Sequence, residues 1–138
     1  MRRYFTVPGP PQGKVRPRVV NRNGYAHSYT PEKTVNYEAL VKMSYKSACT
    51  GEPMATGPVT VKITAWFPVP QSWSQAKKAA AMAGITQPTV KPDADNIGKI
   101  ICDALNGIAW PDDKQVTRLD VRKAYGAEPR VEVEIWEA

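Results

Sequence analysis

Histidine is almost missing from this chain: His27 is the sole example in 138 residues. That excludes any mechanism requiring two histidines, and no serine or cysteine sits in a triad context. Cysteine is scarce as well. Cys49 and Cys102 fall on predicted helices without metal-ligand spacing, which reads as two reduced packing residues of a cytosolic protein. No apolar run approaches the roughly 20 residues of a membrane span, and the N-terminal MRRYFTVPG lacks the apolar core of a secretion signal. The expectation is a cytoplasmic protein with no membrane partner. Acid is absent from the first twenty-two residues, which carry six basic side chains.

What is present is ordinary in bulk and uneven in placement. With 42% hydrophobic and 23% charged residues, the chain suits a single domain, 1–138, with one substantial core. The net charge is +6, yet the first fifty residues hold nine Lys/Arg against two acids and the remainder ten against eleven. A basic half points to a polyanionic partner, nucleic acid foremost, although a charge run by itself is more often a solvated face. The candidate DNA contacts are Lys14, Arg16, Arg18 and Arg22 in that half, with Lys91 further on. Against this background, five of the six aspartates fall between Asp93 and Asp113. Charge of one sign packed together is costly unless a cation relieves it, and an oxygen-only cluster suits Mg²⁺ or Mn²⁺.

Patterning predicts the elements around this knot. Arg3 to Val7 reads as a strand, followed by a loop to Pro17 and a hairpin over Val19 to Tyr29 turning at Asn23-Gly24. Tyr25, His27 and Tyr29 alternate on its second arm, placed either for base stacking or for the core. A helix is expected from Thr30 (N-cap) and Pro31 to Cys49 or Thr50, with Val35, Leu40, Met43 and Ala48 in its apolar stripe, widened by Tyr37, Val41 and Tyr45. Val59 to Phe67 alternates as a strand. Ser72 to Ala83 reads as a peripheral helix with a Ser-x-x-Gln capping box. Arg118 to Tyr125 and Arg130 to Trp136 read as a strand pair joined by Gly126 to Pro129, leaving one sheet face solvated or dimerised. The order predicts an α+β fold, a single mixed β-sheet packed with helices.

The acidic stretch has a geometry of its own. Ile97, Ile100, Ile101, Ala104 and Leu105 recur at helical spacing, so Asn96 to Asn106 is a predicted amphipathic helix, with Asp95 as N-cap and Gly107 just past its end. Asn96, Lys99 and Asp103 then share the polar side, with Lys99 one turn above Asp95. Asp103 lies roughly 12 Å along the axis from Asp95 and is set apart from a metal site there. The helix is about 16 Å long, while the seven steps from Asn106 to Asp113 span up to about 23 Å. A returning loop has the reach to bring Asp112 or Asp113 back beside Asp93 and Asp95. Gly98, inside the helix at a cost of about 1 kcal/mol, suggests a close approach of the backbone to something there.

With those residues in view, the block resembles the RusA family of Holliday-junction resolvases. The family's D-x-D-N-x-x-K segment, D-A-L and D-D-x-Q-V appear here as Asp93 to Lys99, Asp103-Ala104-Leu105 and Asp112 to Val116. The motif match covers about a fifth of the chain, and its specificity lies in the order and spacing of the three pieces. The resemblance implies a homodimeric endonuclease that cuts four-way DNA junctions with Mg²⁺ or Mn²⁺. It implies metal coordination by Asp93, Asp95 and Asp113, with Asp112 as the alternative ligand, and an essential basic role for Lys99. Elementary chemistry is compatible: phosphodiester hydrolysis needs an activated water and a stabilised anionic transition state, and metal-bound carboxylates with a lysine supply both.

Simpler roles exist for each residue alone. Asp95 is a good cap, Asp112-Asp113 after a proline an ordinary turn, and Lys99 with Asp103 an i,i+4 pair. Two other functions also fit the composition: a metal-dependent nuclease acting on flaps, forks or RNA, and a non-catalytic basic DNA-binding protein.

Overall fold

A computed structural model describes residues 1–15, 18–29 and 31–138, and within 18–29 the side chains of 19, 21 and 23–26. In chain order the elements are β1 (Arg2–Pro8), β2 (Arg18–Arg22), β3 (Tyr25–Tyr29), α1 (Glu32–Ala48), β4 (Val59–Pro68), α2 (Gln75–Met82), α3 (Ala94–Leu105), a 3-10 turn (Asp113–Gln115), β5 (Val116–Gly126) and β6 (Arg130–Glu137). Four strands form one mixed sheet in the order β1-β6-β4-β5, and β2 pairs with β3 separately. This is the α+β architecture that the element order predicts. No helix among the described residues is long and apolar enough to cross a membrane.

Strict alternation puts Phe5, Val7, Val59, Val61, Ile63, Ala65, Phe67, Val131, Val133 and Ile135 on one buried side of the sheet. They join α1 and α3 in a single core, where Ile97, Ile100, Ile101, Ala104 and Leu105 are fully buried. Each of the isoleucine and leucine side chains among them contributes about 1.5–3 kcal/mol. In α1 the stripe is narrower than the sequence suggests. Tyr37, Val41 and Tyr45, four apart, face the core, while Val35 and Met43 lie on the opposite side and stand 50% and 64% exposed. The Asn23-Gly24 turn is as expected, both residues having positive φ, at 52° and 79°.

Three expectations need correction. First, β5 and β6 do not pair with each other. β4 lies between them, parallel to β5 and antiparallel to β6. The four steps from Gly126 to Arg130 reach about 13 Å, enough to cross two strand spacings of about 4.8 Å each. The chain passes tightly over the end of β4: a Cβ on Gly126 would stand 3.0 Å from the Trp66 ring. Second, α3 starts earlier, with Asp93 rather than Asp95 at the N-cap. Third, α2 is capped by Ser74, whose Oγ accepts from Lys77 N at 3.2 Å, so the Ser72 box does not form. At α1, Pro31 occupies the N-cap position, and the expected cap Thr30 lies outside the described residues.

The close approach implied by Gly98 is present, and its partner is β5. A Cβ there would meet Leu119 at 3.0 Å and Val121 at 3.1 Å, so glycine lets α3 lie directly on that strand. This seating fixes the helix that carries the acids.

Candidate active site

A cleft of ≈ 760 Å³ opens where three pieces of chain meet: residues 11–15, the first turn of α1 and the start of α3. Gly13 is what allows the meeting. A Cβ at this position would be 2.8 Å from Pro92 Cβ and 3.0 Å from Asn96 Cβ, and the neighbouring Lys14 N donates to Asn96 O at 2.9 Å. Asp93 and Asp95 both line the cleft, on the first turn of α3, where the partial positive charge of the helix end favours carboxylates. Both are exposed, and among the described residues neither has a salt bridge or accepts a side-chain hydrogen bond. Lys33, Thr34 and Lys91 share the lining.

Two exposed carboxylates with an asparagine alongside make an all-oxygen donor set. That set fits Mg²⁺, which ordinarily takes one or two carboxylates and completes its shell with water and substrate phosphate. Among the described residues no three of His, Cys, Asp and Glu are gathered as a metal cage. The expected convergence of Asp113 with Asp93 and Asp95 is therefore not formed by the polypeptide alone.

Asp113 stands instead among the residues of the later turns of α3. Its Oδ1 accepts from Trp110 Nε1 at 2.8 Å, and its backbone N donates to Asn106 Oδ1 at 3.1 Å. Burial raises its carboxyl pKa above the ordinary carboxylate value, and the negative charges of Asp103 and Asp112 add to this, with Trp110 and Lys99 opposing. The cause of the placement is Trp110, which is wholly buried and draws the loop after α3 into the core. The loop's reach is spent on that burial. Asp112 faces away into a capping box: its Oδ1 accepts from Lys114 N at 3.0 Å while Gln115 Oε1 accepts from Asp112 N at 3.1 Å.

Lys99 is 63% exposed and pairs with Asp103 at 3.6 Å. Lys14 is not the open phosphate contact its sequence context suggests. Its side chain is only 17% exposed and bridges Glu38 at 2.9 Å and Asp103 at 3.2 Å. Burial lowers the pKa of its ammonium, but the two carboxylates outweigh that and the net shift is upward. Lys91 is exposed on the cleft rim. Arg18 and Arg22 sit at the two ends of β2, their side chains outside the description, and Arg16 lies outside the described residues. Sequence reading passed over Gly13, Lys33 and Trp110. A glycine directly before Lys14 and a tryptophan directly before Pro111-Asp112-Asp113 were the available signals.

The profile of the endodeoxyribonuclease RusA family matches residues 8–136, a span that contains the whole cleft and all the acids around α3. The chain is also 43% identical to a protein of Bacillus subtilis (strain 168), YqaN, described as uncharacterized, over 96% of this chain and 94% of that one.

Proposed function

The chain belongs to the RusA family of endodeoxyribonucleases, and from that premise we propose that it resolves four-way DNA junctions by paired symmetric nicks, with Mg²⁺ or Mn²⁺ held at Asp93 and Asp95. The observation that carries the reading is a carboxylate pair that no described residue engages, on the lining of an open cleft, inside a chain of net charge +6. Asp93 and Asp95 would hold and orient the divalent ion, which when bound would supply a water of lowered pKa and stabilisation of charge on the phosphate. Lys99, one turn further along α3, places an ammonium beside the anionic transition state. Lys33 and Lys91 on the cleft lining neutralise neighbouring phosphates, which gives affinity without base specificity. Asp113 would join the carboxylate set only if binding of ion and DNA drew its loop away from Trp110. Two symmetric nicks require two sites, so the working form is a two-fold homodimer acting in recombination and repair.

The test is cleavage of a synthetic four-way junction, beside duplex and flap controls, with and without Mg²⁺, using the natural chain and Asp95→Asn. Paired nicking that needs metal is expected, with at least about a 100-fold loss in the variant, in line with removal of one key electrostatic group, while gel-shift affinity persists. Binding without cleavage under any divalent metal would sink the nuclease reading. Preferential cutting of flaps would keep the site and discard the junction.

A further inference from the structure

Asp103 carries an ion-pair arrangement that neither metal binding nor DNA contact explains. One oxygen, Oδ2, faces two cations, Lys14 Nζ at 3.2 Å and Lys99 Nζ at 3.6 Å. Lys14 is itself held by Glu38 at 2.9 Å, from α1, and by its backbone bond to Asn96 O. The side chains of Lys14, Glu38 and Asp103 are only 17%, 16% and 26% exposed, so this is a partly desolvated network and not a surface pair.

Its charge balance is informative. Lys14, Glu38 and Asp103 together carry one excess negative charge, and Lys99 is the cation that completes the neutral set. Lys99 is long and mostly exposed, with Asp95 one turn behind it on α3 and Asp113 close enough to feel its charge. Left alone, such a side chain samples many rotamers. Asp103 selects among them because it is anchored from behind by Lys14, which is in turn fixed by Gly13 lying against α3.

We infer that Asp103 is a positioning residue for Lys99, and that Lys14 and Glu38 are the buttress that holds Asp103 in place. The inference rests on the nuclease reading above, in which the Lys99 ammonium acts on the phosphate. Asp103 touches neither substrate nor ion. It sets where the ammonium stands, and small misplacements of a catalytic group cost up to about 100-fold. The basic N-terminal loop thereby serves the active site from inside the fold, through an aspartate.

The experiment is single-turnover cleavage of a four-way junction with Mg²⁺ by the full chain, comparing Asp103→Asn, Asp103→Glu and Lys99→Ala, with junction Kd and Tm measured for each. Asp103→Asn is expected to cut about 10- to 100-fold more slowly with Kd within about twofold, since a lost transition-state contact lowers the rate and spares binding. Asp103→Glu recovers part of the rate. Added to Lys99→Ala, Asp103→Asn produces no further loss. A folded Asp103→Asn that cuts at the natural rate, while Lys99→Ala is inactive, overturns the inference and leaves the nuclease reading standing. No cleavage by the natural chain under any divalent metal refutes the nuclease reading itself. Should Asp103→Asn fail to fold, Glu38→Gln decides, since it loosens the Lys14 buttress and leaves Asp103 in place. Slower cleavage with Kd unchanged is expected, and a folded Glu38→Gln that cuts at the natural rate overturns the inference.

Discussion

At the first turn of α3, Asp93 and Asp95 stand exposed on an open cleft, and no described residue pairs with either. Later on the same helix and just past its end, the acids are all engaged. Asp103 is shared between two lysines, Asp113 accepts from a buried tryptophan, and Asp112 caps a 3-10 turn. The residue type is the same and the sequence interval is twenty residues, yet the two groups obey different energetics. Engaged carboxylates are held in place by the fold, and unengaged ones stay available to a cation. An acidic cluster in a sequence is thus two things in space, and the division runs along the helix axis.

The sharpest way to break this contrast is to release the engaged end. Trp110 is fully buried and donates to Asp113. Trp110→Ala is expected to cost about 3–5 kcal/mol, read as a lower midpoint in urea denaturation, and to free the loop that positions Asp112 and Asp113. Unchanged stability would mean that the loop is held by something other than this ring.

How much of this was legible beforehand depends on the kind of signal. α3 and the alternating strands β4 and β6 could be read because apolar periodicity reports directly which side of an element is buried. Alternation does not report which strand lies next to which. The short Gly126 to Pro129 link fits a hairpin as well as a step across β4, so the insertion of β4 between β5 and β6 was invisible. The acids at the start of α3 were readable as a motif. Their separation from Asp113 was not, because it follows from burying Trp110, and chain reach sets only an upper limit on approach. Lys14 shows the same limit on the basic side. Its neighbours in sequence suggest an exposed basic loop, but a single glycine, Gly13, seats that loop against α3 and delivers the ammonium to Asp103 and Glu38.

That seating supplies the next test, at the open end. Gly13→Ala places a methyl group 2.8 Å from Pro92 Cβ, a distance that requires the loop or the start of α3 to move. Overpacking of this kind costs about 1–3 kcal/mol, and the expected result in thermal or chemical denaturation lies in that range. The move also pulls Lys14 away from Asp103, so junction cleavage falls by more than the loss of folded protein explains. A variant as stable and as active as the natural chain would show that the loop is not wedged at this point.

The smallest expected effect separates the two groups of acids most cleanly. Burial raises the Asp113 carboxyl pKa, with the charges of Asp103 and Asp112 assisting, despite the bond from Trp110. A carboxyl whose folded pKa lies above its unfolded one is worse off ionised in the folded state. The penalty is therefore fully present above the raised folded pKa and is lost as pH falls below the ordinary carboxylate range. Asp113→Asn removes the charge and keeps an oxygen for Trp110. At neutral pH its Tm should equal or slightly exceed that of the natural chain, and the difference should close on acidification through that range. Cleavage should fall in the same variant if Asp113 joins the carboxylate set when ion and DNA bind. Stability and activity then move in opposite directions at one residue, as expected where a charge is kept for chemistry at the expense of the fold. A lower Tm at neutral pH with unchanged cleavage would make Asp113 a structural partner of Trp110 and confine the working carboxylates to the first turn of α3.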